Sequence, residues 1–458
     1  MGIKQVFLSA IVTVSLASGV TAETLADSMA SAYEHSGLLE QNRALLRAAD
    51  EDVAQAGAAL RPIINWTAGV QRRFSSGTTV LSANTANIGL EANWLLLDSG
   101  ASQAAIESQK QTVLATRQSL VSVEQSVLLN AVQSFMNVRR DSEIVALRQN
   151  NLRLITRELR AARDRFDVGE VTRTDVSLAE ARLAGARAEL AVAQGNLMSS
   201  QEFFAAVVGH KPGRLTPPSR LPNTAKSLDA AKGIAVRGHP DMLAAQFQVA
   251  AREFDVRRAE AAMKPSLNLR AGVTKSDQFN SSANTTSGTV SLDASGPIYQ
   301  GGRLSSVLRQ TMARRDAARG ALHATRHNIR QSVGNAWAQL LSAQAQRQAS
   351  VRQISASRVA FDGVREEAKL GARTTLDVLN AEQELLNAQA NQITASSNEF
   401  TAAYALLASM GLLNVDYLNL TVEKYDPEAY YKQVEKGPAL KSKQGQQLDK
   451  ILRAIGKE

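Results

Sequence analysis

His323 and His327 stand four residues apart in a stretch with helical patterning, the spacing that puts two imidazoles on one face of a helix within reach of one metal ion. Between them lie Ala324, Thr325 and Arg326, so the general-base glutamate of a zinc protease is absent. No carboxylate stands within a turn on that face, and the pair reads as a solvated helix surface with no metal site. Gly301-Gly302 is followed by Arg303-Leu304-Ser305, which does not make a phosphate loop. The chain has no cysteine, which excludes disulfides, thiolate metal sites, cysteine nucleophiles and the acylated cysteine of a bacterial lipoprotein. No enzyme and no cofactor are expected. The remaining candidates are two aspartates, Asp175 and Asp377, each six residues past a glycine, Gly169 and Gly371. Arg373 precedes Asp377 by four, the spacing of an intrahelical ion pair.

The elements that must position these residues come in two copies. Arg61-Pro62-Ile63-Ile64-Asn65-Trp66-Thr67-Ala68-Gly69-Val70 returns as Lys264-Pro265-Ser266-Leu267-Asn268-Leu269-Arg270-Ala271-Gly272-Val273. Gly169, Thr172, Asp175, Val176, Ala179, Glu180 and Leu183 return as Gly371, Thr374, Asp377, Val378, Ala381, Glu382 and Leu385. Gly209 matches Gly411. This is a duplicated half of about 200 residues, far longer than the period of solenoid or propeller repeats.

Each half switches between two hydrophobic periods. In the first, a capped start at Thr24-Leu25-Ala26-Asp27 predicts a helix to about Leu60. Ile64, Trp66, Ala68 and Val70 then alternate with polar residues, as do Ile88, Leu90, Ala92, Trp94 and Leu96, which predicts two strands around a polar loop over 75–87. From Ala101 to Val168 there is neither glycine nor proline, and a continuous helix of that length is roughly 100 Å long. After the break at Gly169, Val176, Ala179, Leu183, Ala186 and Leu190 form a coiled-coil seam on a return helix to about Val208. The second half predicts a helix over 228–263, strands over 267–274 and 289–298, a long helix to about Lys369, a turn at Gly371 and a return helix ending near Met410.

The expected domains are a signal peptide over 1–22, a first repeat over 23–209, a proline-rich connector over 210–227, a second repeat over 228–411, a C-terminal segment over 412–431 and a disordered polar tail over 432–458. Lys4, the apolar Val6 to Val20 and the small residues around Ala22 carry the export reading. The net charge is +9, but basic and acidic residues interleave along the helices and no basic patch mixes with aromatics, so no nucleic acid is expected.

Four amphipathic strands cannot close a barrel, and an open sheet edge does not survive in lipid. A membrane barrel must then be shared between chains. Two chains give eight strands, whose interior fills with side chains; three give twelve, which leave a lumen, and Glu91, Asp293 and Arg270 on the polar faces favour that count. The alternative is a small soluble sheet on a periplasmic structural or adhesive coiled-coil protein without a pore.

The chain resembles the TolC family of outer-membrane efflux proteins over almost its whole length. The marks are Gly296-Pro297-Ile298-Tyr299-Gln300-Gly301-Gly302, Leu370-Gly371-Ala372-Arg373-Thr374-Thr375-Leu376-Asp377-Val378-Leu379-Asn380-Ala381-Glu382, and Tyr425-Asp426-Pro427-Glu428. The resemblance implies a mainly α fold with a membrane β-barrel, built from a duplicated helix–hairpin–long-helix–helix unit. It implies a homotrimer with a twelve-stranded barrel in the lipid of the outer membrane of a Gram-negative cell and a twelve-helix α-barrel in the periplasm. The implied function is an exit channel for drugs, toxic compounds or polypeptides. Its implied partners are a periplasmic membrane-fusion (adaptor) protein and an inner-membrane efflux pump or ABC exporter. By the same resemblance Asp175 and Asp377 lie in the entrance constriction, and Arg373 ties neighbouring coils together. Val168, Gly169, Leu370, Gly371 and Thr374 form the tips that meet the adaptor. Asn380 stands where some members carry a second acidic ring, and Ala368 where a gate tyrosine is found.

Overall fold

The computed structural model describes residues 22–75, 81–279, 284–438 and 442–455. The expected signal peptide, up to residue 21, lies outside the described residues, as do 76–80 and 280–283 of the two expected loops. The described chain is mainly helical with one small sheet. Its elements run in the order α1 (Leu25–His35), α2 (Gly37–Ala58), β1 (Ile63–Ser75), β2 (Leu81–Leu97), α3 (Ala101–Asp167), α4 (Arg173–Val208), α5 (Leu228–Gly238), α6 (Pro240–Ala261), β3 (Ser266–Gln278), β4 (Thr285–Ser295), α7 (Arg303–Lys369), α8 (Thr375–Ser409), α9 (Val415–Leu418), α10 (Pro427–Val434) and α11 (Lys443–Ile455). The duplication is visible in the lengths: α3 and α7 both have 67 residues.

Two single helices expected from the periodicity are each broken. Ser36 separates α1 from α2 in an extended conformation, and its hydroxyl accepts the Leu39 N–H at 3.3 Å. His239 separates α5 from α6, and its Nδ1 accepts the Asp241 N–H at 3.2 Å. Pro240 enforces the second break, because a proline disfavours helical backbone in the residue before it and suits the first position of a new helix.

The chain falls into two compact units. One comprises 22–35, 130–222 and 342–401 of the described residues, and so contains α1, α4 and the C-terminal portions of α3 and α7 with most of α8. Its core is the predicted seam: Ala179 and Leu183 of α4 pack with Ile155, Leu159 and Ala162 of α3 and Leu379 of α8. Small alanines at alternate positions let helices approach closely, which explains a core with few aromatics.

The other unit comprises 36–129, 223–341 and 402–455 of the described residues. Here Leu46 and Val53 of α2 pack against Ile106 and Val113 of α3, with Tyr425 and Tyr431 at the edge. Of the polar tail expected over 432–458, 439–441 and 456–458 lie outside the described residues. Residues 427–434 and 443–455 are helical, and Leu448 of α11 is buried against Tyr430 and Val434 of α10. A few apolar residues at helical spacing are enough to hold this segment against a neighbour, despite its lysines.

The same unit carries the sheet, antiparallel throughout, in the order β1-β2-β3-β4. The strands outrun their apolar cores: β1 extends to Ser75, β2 begins at Leu81 and β3 extends to Gln278, so much of the 75–87 segment expected as a loop continues the first hairpin ladder. β4 begins earlier than expected, at Thr285, and ends at Ser295, before Pro297.

Candidate channel entrance and membrane sheet

The two helical turns are built alike. Gly169 (φ 81°) follows α3 and its N–H donates to the Phe166 carbonyl at 2.9 Å; Gly371 (φ 77°) follows α7 and donates to the Ala368 carbonyl at 3.1 Å. Both lie in the left-handed region that a side chain strains, with open space where a Cβ would stand. The preceding residues, Val168 and Leu370, are 71% and 86% exposed. Each turn therefore presents an uncovered aliphatic side chain, next to a backbone conformation that favours glycine.

Asp175 and Asp377 occupy the first turn of the return helices, where each forms a capping box. The Thr172 N–H and hydroxyl donate to Asp175 Oδ2 at 3.0 and 2.7 Å, and the Asp175 N–H donates back to Thr172 Oγ1 at 3.3 Å. Thr374 and Asp377 repeat the pattern at 3.0, 2.8 and 3.2 Å. The backbone and hydroxyl donors of Thr374 hold the Asp377 carboxyl below the usual carboxylate range. Arg373 does not close onto Asp377 as its spacing predicts. Its Nε donates to Glu367 Oε2 at 2.8 Å, because Asp377 already faces back toward Thr374. Asn380 accepts from Arg182 Nη2 at 2.7 Å, a link from α8 to α4. Ala368 supplies a carbonyl to the Gly371 turn.

The sheet divides into two chemically distinct faces. The pairing Trp66↔Leu90↔Val273 and its neighbours puts Ile64, Trp66, Ala68 and Val70 on the same face as Ile88, Leu90, Ala92 and Trp94. Leu267, Leu269 and Val273 of β3 and Val290 and Leu292 of β4 continue that face. It is uncovered: Trp66 is 74% exposed and Val290 79%. The opposite face carries Asn65, Thr67, Glu91, Asn93, Asn268, Arg270 and Asp293, with Arg270 Nε 3.7 Å from Asp293 Oδ2. Trp94 Nε1 donates to the Leu60 carbonyl at 3.0 Å, anchoring one end of β2.

His323 and His327 stack edge to face with ring centroids 4.6 Å apart. Among the described residues no group of three or more His, Cys, Asp or Glu is arranged to hold a metal ion. No described helix is long and apolar enough to cross a membrane.

Among the buried carboxylates Asp50, Asp141, Glu382 and Glu399, two have buried oxygens without a hydrogen-bond partner among the described residues, Asp50 and Glu382. Asp50 of α2 has no exposed surface, and neither carboxylate oxygen has a hydrogen-bond partner; burial pushes its pKa up to about 6. Glu382 of α8 is 6% exposed and burial, with Glu158 nearby, pushes it up to about 7. Neither stands out in the sequence, since both sit among polar neighbours with ordinary helical spacing.

The family model described as "Outer membrane efflux protein" matches residues 29–210 and 234–412, one segment in each half. The chain is similar to the outer membrane efflux protein BepC of Brucella suis, with 35% identity over 427 residues, covering 92% of this chain and 93% of that one. It is also similar to the outer membrane protein TolC of Vibrio cholerae, with 26% identity over 392 residues, covering 81% and 86%. Among solved structures, the CmeC outer membrane channel of Campylobacter jejuni superposes with a TM-score of 0.76 at 14% identity, covering 91% of this chain and 90% of that one.

Proposed function

The chain belongs to the outer membrane efflux protein family and is an outer-membrane exit channel for efflux or secretion, and from that premise we propose that three copies assemble into one pore. The sheet is the observation that carries this reading. Among the described residues it has four strands, free edges at β1 and β4, and one exposed apolar face. Lipid tolerates neither edge, so β4 of one copy pairs with β1 of the next until the ring closes. Three copies give twelve strands, with the apolar face on the lipid and Glu91, Arg270 and Asp293 on the lumen.

The helices of the three copies make the twelve-helix periplasmic α-barrel. The turns at Gly169 and Gly371 are the adaptor-binding tips, with Val168 and Leu370 as the apolar contacts. An adaptor couples the channel to an inner-membrane efflux pump or ABC exporter. Asp175 and Asp377 place six carboxylates at the entrance of the trimer. Their role as helix caps fixes them there, and Arg373 restrains the same turn through Glu367.

Reconstitution of the full protein in planar bilayers tests the pore. Stepwise conductance with cation preference is expected, and Asp175→Ala with Asp377→Ala should weaken that preference, because like charges ringed in a narrow lumen concentrate counter-ions. A protein that inserts and never conducts is incompatible with this reading.

A further inference from the structure

Two cavities flank α8 within the tip-bearing unit. One, of about 260 Å³, lies between α3, α4 and α8; the other, of about 440 Å³, lies between α3, α7 and α8. Asn151 and Glu382 line both. Glu382 is thus a wall between two voids in a seam that is otherwise packed by alanine and leucine. Its Oε1 atom is buried and accepts no hydrogen bond. A buried acceptor without a protein donor costs stability, and a donor placed in the adjoining cavity would satisfy it.

We propose that the smaller cavity is a binding site for a small primary ammonium carried on an apolar body. The ammonium donates to Glu382 Oε1, and the body packs on Ile155, Leu178 and Leu379, which line the same cavity.

The surrounding charges select this chemistry. α3 presents Glu158 to the carboxyl, α4 presents Arg182 and α7 presents Arg365. The Arg182 guanidinium is engaged with Asn380, and Glu189 at the cavity rim is engaged with Arg148 at 2.8 Å. Arg182 therefore does not satisfy Glu382 Oε1. An anionic ligand would meet both Glu189 and Glu382, which line the cavity. A neutral donor would fill the hydrogen bond but would not offset the burial that pushes the carboxyl pKa up to about 7. A cation restores the ionised form and gains a charge-assisted bond. The site stands on one chain's packing and does not require the trimeric pore.

Calorimetric titration of the full protein in detergent with benzylammonium tests the proposal, with benzyl alcohol as the uncharged control. Binding to the wild type should tighten roughly tenfold between pH 6 and pH 8, as Glu382 ionises. Benzyl alcohol should show no such dependence. Glu382→Gln should lose both the affinity and its pH dependence, and Leu178→Trp should exclude the ligand by filling the cavity. Thermal unfolding of each variant at pH 8 checks that the fold survives. No binding to the wild type at pH 8, binding independent of pH, or equal binding by a folded Glu382→Gln variant would each overturn the site.

Discussion

At the scale of single residues, carboxylates serve opposite ends in this chain. Asp175 and Asp377 are held by donors, and the Thr-x-x-Asp spacing that holds them was readable, since a threonine three residues before an acid at a helix start is a capping pattern. What the spacing could not show was that capping would take Asp377 away from Arg373. Removing the cap should fray the first turn of α4: Thr172→Ala is expected to cost about 1 kcal/mol of local stability. Amide hydrogen exchange over residues 172–176 reads it, and unchanged protection would show that the cap contributes nothing. Asp50 is the reverse case, a carboxyl without donors beneath the C-terminal segment. Ala48-Ala49-Asp50-Glu51-Asp52 reads as a solvated helix face, and only the docking of α10 on α2, with Tyr430 donating to Glu51 at 2.8 Å, turns that face inward. The fold holds the Asp50 proton more tightly than the unfolded chain does. Its penalty is therefore absent below the ordinary carboxylate pKa near 4 and grows as pH rises through about 6. Asp50→Asn should accordingly match the wild type at pH 4 and exceed it by about 2 kcal/mol at pH 8. A difference that does not change with pH in denaturant unfolding would refute the assignment.

At the scale of elements, the long helices, the hairpins and the return seams were legible because each rests on a long periodic run. The helix breaks at Ser36 and His239 were not, because the apolar pattern continues across them. Pro240 was a readable stop that the periodicity masked. The breaks acquire their reason from the repeat-equivalent glycines that end α4 and α8. A Cβ on Gly209 would stand 2.5 Å from His35 Cγ, and one on Gly411 would stand 2.8 Å from His239 Cα and 3.1 Å from Pro240 Cδ. In both halves a return helix thus ends against the break of a short helix, and only the absence of a side chain allows the approach. The tip turn at Gly371 has the same backbone conformation with open space around it. The two sites separate strain from collision. Gly371→Ala should cost roughly 1 kcal/mol, the strain alone, while Gly411→Ala should cost about 3 kcal/mol because backbone must also move. Equal losses in thermal unfolding would mean that the His239 junction yields freely and does not fix the end of α8.

At the scale of the whole molecule, one chain leaves its sheet unfinished. Periodicity gave the two faces and the strand count, but the order β1-β2-β3-β4 is what leaves the first and last strands as the free edges. In the proposed cyclic assembly, β1 pairs with a neighbour's β4. The sequence contains no cysteine, so introduced pairs report contacts without background. Thr67→Cys on β1 can be combined in turn with Ser287→Cys, Thr289→Cys and Ser291→Cys on β4, all on the polar face. Within one chain these positions lie three strand spacings apart, roughly 14 Å, which is beyond the reach of a disulfide. Between neighbours in a closed ring, one of the three registers brings the pair within reach. Mild oxidation in membranes should therefore produce covalent dimers and trimers with at least one pair, and a ladder that stops at three. Oxidised material that stays monomeric with every pair would leave the β1 and β4 edges without a partner and would remove the physical basis for a shared barrel. A ladder that stops at two would replace the twelve-stranded ring by an eight-stranded one, whose interior is filled by side chains, and an open lumen would then be lost with it.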